Sequence, residues 1–249
     1  MKQSVVVTGG SKGIGWEIVR TLASAGYHVV SGSRSLRESI PNEVKVNITQ
    51  CQMNTINEKD HFRLAEIASE EGRQLIAYVN NAGFSEWRSI EEIDEKFLFD
   101  IISTNLIGYF WGAKAAAHHL KAGGSLINIS SLAGQRGTSN NSAYVSTKFG
   151  VTGLTQSQSK ELGARGIRVT SVCPVLVRSE GLLAALSQNS SPAKGNPTSF
   201  LEEFAKTQAS LQRLPTAQEV ADLVHFLISE KSQAITGQSI NVDCGVLPN

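Results

Sequence analysis

The chain has 249 residues, a formal net charge of +1 and 41% hydrophobic residues. That length suits one large domain, able to bury a core without disulfides or a structural metal. A balanced charge argues against a general binder of nucleic acid or of anionic membranes, which carries a basic excess.

Val5-Val6-Val7 is the first strand-like run, closed by Thr8-Gly9-Gly10. A helical period follows, with Ile14, Ile18, Val19 and Leu22 on one face and Gly26 as its stop. His28-Val29-Val30 reads as a second strand, and the alternation of Val44, Val46 and Ile48 as a third. Leu75 to Val79 is continuously apolar, as in a strand covered on both faces. Leu126, Ile127 and Ile129 make another strand, and Ile167 to Val172 and Ser239 to Val242 complete the set. The segments between are helix-sized, best defined at Asp94 to Leu120, Ala143 to Gly163 and Ala217 to Ser229. Such alternation predicts an α/β domain with a parallel sheet, spanning residues 1–249 as one unit. The run SQNSSPAKGNPT, from Ser187 to Thr198, predicts a mobile loop inside it. Three cysteines, Cys51, Cys173 and Cys244, fit no metal-ligand spacing and read as reduced thiols of a cytoplasmic protein. No apolar run reaches the length of about 18 residues expected of a membrane span, and no signal-peptide pattern is expected before Gly9.

The first strand runs into TGGSKGIG, with Gly9, Gly13 and Gly15 in a G-x-x-x-G-x-G spacing. Glycine there permits a tight turn, close approach of backbone to a pyrophosphate, and close helix–strand packing. The helix N-terminus then offers free N–H groups to phosphate. NAD-binding folds usually carry an acid after the second strand. Here the residues are Ser31-Gly32-Ser33-Arg34, and Lys12 lies in the glycine turn. Arg34 as a planar fork, Lys12 as a point charge, and Ser33 favour the 2′-phosphate of NADP(H).

Tyr144 and Lys148 stand at i,i+4 near the start of a predicted helix and so share a face. A lysine cation beside a phenol favours the phenolate, lowering a pKa of about 10. Tyr144 then suits proton exchange with a carbonyl or alcohol oxygen. Ser130-Ser131 and Asn80-Asn81-Ala82-Gly83 each end a strand, where ligands of open α/β sheets bind.

At these residues the sequence resembles the short-chain dehydrogenase/reductase family over essentially its whole length. The resemblance implies a Rossmann-like, doubly wound sheet of about seven strands in the order 3-2-1-4-5-6-7, with helices on both faces. TGGSKGIG resembles the family's cofactor turn, including Thr8, Ser11 and Ile14. Asn81, Ala82 and Gly83 resemble the segment beside the adenosine. Asn105, Ser131, Tyr144 and Lys148 resemble the catalytic tetrad. Tyr144 is then the acid in carbonyl reduction, Ser131 the positioner of the substrate oxygen, and Lys148 the ribose ligand that tunes Tyr144. Asn105 is expected to kink its helix and hold a relay water. Pro174, Val177 and Ser179 match positions about the nicotinamide, and Asn54 stands loosely where an adenine-binding Asp is usual.

Departures from the family pattern are Val175 for a glycine, Thr170 for an asparagine and Cys244 for a glycine. The implied activity is NADPH-dependent reduction of a ketone or 3-oxo group, or the reverse. The implied partners are a small carbonyl or alcohol substrate and further copies of the chain, in a homotetramer or homodimer. A 3-oxoacyl carrier-protein reductase is one candidate, with Arg165 on its carrier surface. Sugars, steroids and polyols fit the same residues. A dinucleotide sensor without turnover is the rival, although such proteins usually lose the tyrosine or lysine. Residues 180–214 are expected to form the substrate wall and lid. His118-His119 is not read as a metal site, because adjacent residues do not share a helix face. Trp87, Phe110 and Trp111 are expected to pack, Cys173 to be a small buried filler, and Glu91-Glu92, Asp94 and Glu95 to start a helix with favourable dipole placement.

Overall fold

In the computed structural model, which describes residues 2–248, the apolar runs become seven strands. They are β1 (Gln3–Thr8), β2 (His28–Ser33), β3 (Ile48–Gln52), β4 (Gln74–Asn80), β5 (Ser125–Ile129), β6 (Arg168–Pro174) and β7 (Ser239–Val242). All neighbours pair in parallel, in the order β3-β2-β1-β4-β5-β6-β7. The helices are α1 (Gly13–Ser24), α2 (Asn42–Lys45), α3 (Glu58–Ser69), α4 (Glu95–Ile102), α5 (Gly108–His119), α6 (Ser142–Gly163), α7 (Glu180–Leu186), α8 (Pro197–Gln208) and α9 (Ala217–Ile228).

The strand period of two explains why the central strands are apolar throughout. Val5 and Val7 of β1 join Ile18, Val19 and Leu22 of α1 and Val220, Val224 and Leu227 of α9 in one core layer. Val6, between them, faces the other layer with Leu64 of α3, Ala113 and Ala116 of α5 and Leu162 of α6. Both faces are covered, so alternation with polar residues has no place there. β1 lies beside β4, and the connections from these two strands leave in opposite directions. The resulting switch point opens a crevice at the strands' C-terminal ends.

Four expectations are corrected. The third strand begins at Ile48, and Val44 lies in the helical turn α2. Pro41 opens that turn, Val44 tucks into the core, and Val46 is 79% exposed; the alternation is one of burial in a turn. The predicted helix from Asp94 to Leu120 is interrupted, since Ser103–Ile107 forms a π-helical turn between α4 and α5. Phe110 does not pack: it is 49% exposed on α5. The Ser187–Thr198 run is shorter as a loop than expected. Asn196 caps α8 by accepting from Ser199 N at 3.3 Å, and Pro197 occupies its first turn.

Candidate active site

The C-terminal ends of β1, β4, β5 and β6 open into one cleft of about 1060 Å³. Its floor is the glycine turn. Gly9 and Gly13 have φ of +68° and +55°, which only glycine adopts without strain. A Cβ on Gly15 would overlap the Gly9 carbonyl oxygen and the Asn81 amide. Lys12 is the N-cap residue of α1, and its side chain caps nothing, so the first N–H groups of α1 have no side-chain acceptor. Thr8 ties the turn to the end of β4: its hydroxyl accepts from Asn81 N at 3.0 Å and Ala82 N at 3.1 Å. The Asn81 amide in return donates to Thr8 O at 2.9 Å and Gly9 O at 3.2 Å.

Ser33 ends β2 and accepts from Ser11 N at 3.1 Å, fixing the near rim. Arg34 and Lys12 line that rim, exposed, with no side-chain partner among the described residues. Arg37 is committed elsewhere: it lies 4.1 Å over the Trp16 ring and donates to Ser11 O at 3.2 Å. Asn54 also lines the cleft, its backbone N–H held by Asp60 at 2.8 Å and its side-chain oxygen facing Ile56 N at 3.4 Å.

The opposite side of the cleft carries Ser131, Tyr144 and Lys148 together. Ser131 is extended and caps a short 3-10 turn, accepting from Ala133 N at 3.1 Å. Tyr144 and Lys148 lie one turn apart on α6, with Lys148 Nζ 5.7 Å from the Tyr144 ring centroid. Lys148 is buried and donates to Ile129 O at 2.9 Å. Burial pulls its pKa down to about 8. Burial also pushes the Tyr144 phenol above its ordinary value, with the Ser131 hydroxyl opposing; desolvation outweighs the lowering expected from the lysine. Pro174, Val177 and Ser179 close the far wall, and Ser179 caps α7 by accepting from Leu182 N at 3.2 Å.

Thr8 and Asn105 lie behind the cleft rather than on its surface. Asn105 is fully buried in the π-helical turn. It grips the backbone of Phe84 at both ends, accepting from Phe84 N at 3.0 Å and donating to Phe84 O at 2.8 Å. The extra residue of a π turn re-aims one side chain, and such turns recur at functional sites.

A family model described as Enoyl-(Acyl carrier protein) reductase matches residues 9–247. The chain belongs to the short-chain dehydrogenase/reductase family. It is 35% identical to a 3-oxoacyl-acyl-carrier-protein reductase of Staphylococcus aureus, covering 99% of this chain and 98% of that one. It is 33% identical to an L-2,3-butanediol dehydrogenase of Corynebacterium glutamicum over the whole of both chains. Among solved structures it is similar to the ligand-free aldohexose dehydrogenase of Thermoplasma acidophilum, with a TM-score of 0.86, 30% identity and coverage of 98% and 94%. It also superposes on a point variant of the actinorhodin polyketide ketoreductase solved with NADPH, with a TM-score of 0.88, 25% identity and coverage of 98% and 97%.

In this dehydrogenase/reductase the fold adds residues that sequence reasoning did not find. Tyr109 follows Asn105 by one helical turn, and its phenol donates to Ile129 O at 2.7 Å while Lys148 Nζ reaches it at 3.4 Å. Arg136 and Asn141, on the loop from Ser131 to Tyr144, line the cleft. Trp87, Leu176, Phe200 and Phe204 form its apolar wall. Val175, in place of the family glycine, packs with Leu132, Phe204 and Val246. Cys173 is fully buried and its thiol is pushed up by burial, which keeps it protonated. His118 and His119 pack on Phe62, with ring centroids 5.3 and 6.2 Å away.

Proposed function

We propose that this protein is an NADPH-dependent reductase of a ketone or 3-oxo group, with Tyr144 as the proton donor. One observation carries the reading: Ser131, Tyr144 and Lys148 meet in the cleft whose floor is the glycine turn. The residues fit a dinucleotide phosphate. The uncapped N-terminus of α1 and the glycine backbone suit a pyrophosphate. No acid stands at the end of β2, and Arg34 and Lys12 are unengaged at the rim where a 2′-phosphate belongs. Asn54, Asn81, Ala82 and Gly83 would border the adenosine side, and Pro174, Val177 and Ser179 the nicotinamide side. When bound, this cofactor supplies the hydride.

The chain's own groups supply the rest. The Ser131 hydroxyl orients the substrate oxygen. The Tyr144 phenol, kept protonated at neutral pH by burial, donates its proton to that oxygen as the carbonyl becomes an alcohol. Lys148, held by Ile129 O and Tyr109, places a positive charge beside the phenol as it becomes phenolate. Asn105 holds the Phe84 backbone, and with it the cleft edge, in place. Substrates in the printed names of relatives include 3-oxoacyl carrier protein and 2,3-butanediol, both of oxo or hydroxyl chemistry. The assembly that fits this reading is a homotetramer or homodimer, and Phe99, Phe110 and Phe149 leave apolar surface on α4, α5 and α6 that supports association between copies.

The deciding experiment is Tyr144→Phe assayed by NADPH absorbance on a panel of ketones and 3-oxoacyl thioesters. NADPH binding is expected to persist and turnover to fall by at least about 100-fold. Surviving turnover removes Tyr144 as the acid. Absent turnover in the wild type, with NADPH bound, favours a dinucleotide sensor.

A further inference from the structure

The loop between Ser131 and Tyr144 carries polar groups that the proton transfer above does not use. Arg136 lines the cleft and is half-buried. Its guanidinium has no hydrogen-bond or ion-pair partner among the described residues. The other half-buried arginines are all engaged. Arg20 pairs with Glu17, Arg73 with Glu71 and Arg88 with Glu86 and Asp94, while Arg37 is stacked on Trp16. A planar fork left free inside a cleft is suited to a planar anion, above all a carboxylate.

A second group on the same loop is also unsatisfied. Asn141 lines the cleft and is only 5% exposed. Its amide nitrogen donates to Thr138 Oγ1 at 3.1 Å, but its side-chain oxygen has no partner. A buried polar atom without a partner lowers stability, and a polar ligand group relieves it. A hydroxyl fits either end of the amide, because it both donates and accepts. The other cations lining the cleft are assigned to the cofactor (Lys12, Arg34) and to Tyr144 (Lys148). Glu180 and Glu203 line the cleft from α7 and α8 and repel an anion there, and neither is within ion-pair distance of Arg136. Leu176, Phe200 and Phe204 offer the substrate's carbon skeleton an apolar wall.

We propose that Arg136 binds a carboxylate on the substrate, so that the enzyme reduces an oxo acid whose polar end faces Arg136 and Asn141. This inference rests on the reductase reading and narrows its substrate class. The test uses the full-length protein, NADPH, and three keto acids: 3-oxobutanoate, 4-oxopentanoate and 5-oxohexanoate. Each is paired with its methyl ester, which keeps the skeleton and removes the charge, and a 3-oxoacyl thioester is added. The wild type is expected to prefer at least one acid to its ester in kcat/KM. Arg136→Gln should lower that acid-to-ester preference by about 10–100-fold, mainly through KM, and Arg136→Lys should restore part of it. Unchanged NADPH binding by the variants shows that they are folded. A preference that survives Arg136→Gln, or a wild type that favours esters or the thioester, overturns the inference and leaves the reductase standing. Failure of the wild type to reduce any carbonyl compound, with NADPH bound, overturns the reductase reading as well.

Discussion

Lys148 is charged at neutral pH in a place that opposes charge. Its ammonium is buried, satisfied by Ile129 O and Tyr109, and holds a pKa of about 8. In the unfolded chain a lysine titrates near about 10.4. Between those values the unfolded chain binds more protons, so this residue's contribution to stability rises with pH; below about 8 its full cost is present. Lys148→Met is therefore expected to stabilise the apoprotein by roughly 1–3 kcal/mol at pH 7, with the gain shrinking towards pH 10. Denaturant unfolding of both proteins at both pH values checks this; a gain that grows with pH contradicts it. The cost is kept for the charge beside Tyr144, so the same variant should lose turnover. Arg34 makes the opposite case, an exposed cation without a side-chain partner among the described residues. Arg34→Asp is expected to weaken NADPH binding by about 10–100-fold and NADH far less. Fluorescence titration with both dinucleotides decides it, and equal losses remove the 2′-phosphate assignment.

At the scale of elements, the site depends on three side-chain joints between neighbouring segments. The Thr8 hydroxyl joins the ends of β1 and β4 by accepting from two backbone N–H groups. Thr8→Val keeps the shape and orphans both donors. It is expected to cost about 1–3 kcal/mol and to loosen dinucleotide binding, with Thr8→Ser recovering most of both. Thermal unfolding with and without NADPH measures this; a Val variant as stable as the wild type shows that the hydroxyl does not hold the two strand ends together. The second joint is Asn105, whose paired hydrogen bonds to Phe84 bind the π-helical turn to the loop after β4. The third is Ser33, which fixes the glycine turn to β2 through Ser11 N. Each joint lies at a strand end or just beyond one, where ladder hydrogen bonding stops and a side chain takes over its role.

At the scale of the whole molecule, residues from 180–214 line one side of the cleft. α7 and α8 pack on their own apolar cluster of Trp87, Leu186, Ala193 and Leu201, separate from the two layers against the sheet. The connecting loop is pinned where Ser191 donates to Leu186 O at 2.6 Å and Asn140 to Ser190 O at 3.2 Å. A small satellite core is a unit able to open without unfolding the sheet. We propose that it closes on ligand. Amide exchange across 180–214 is expected to slow on adding NADPH with a substrate analogue, and unchanged exchange counts against closure.

Strand and helix order, the glycine turn, and the Tyr144–Lys148 pair were legible in the sequence because each is a local pattern of period or spacing. β-branched runs covered on both faces read as central strands, and i,i+4 spacing places two side chains on one face whatever the fold. Positions decided by distant neighbours were not legible. Val44 alternates like a strand residue but sits in a turn, since Pro41 precedes it and the core accepts it there. No local period marks the π-helical turn at Asn105, where only the family resemblance led to an expected kink; its hydrogen bonds go to the Phe84 backbone on another segment. Tyr109 meets Lys148, and Arg136 remains unengaged, only once β5 and α6 are packed. The sequence by itself determined the chemistry the chain carries. The tertiary structure alone decided burial, which sets the pKa of Lys148 and Tyr144 and which polar groups face the cleft, because desolvation depends on every element packed around a group.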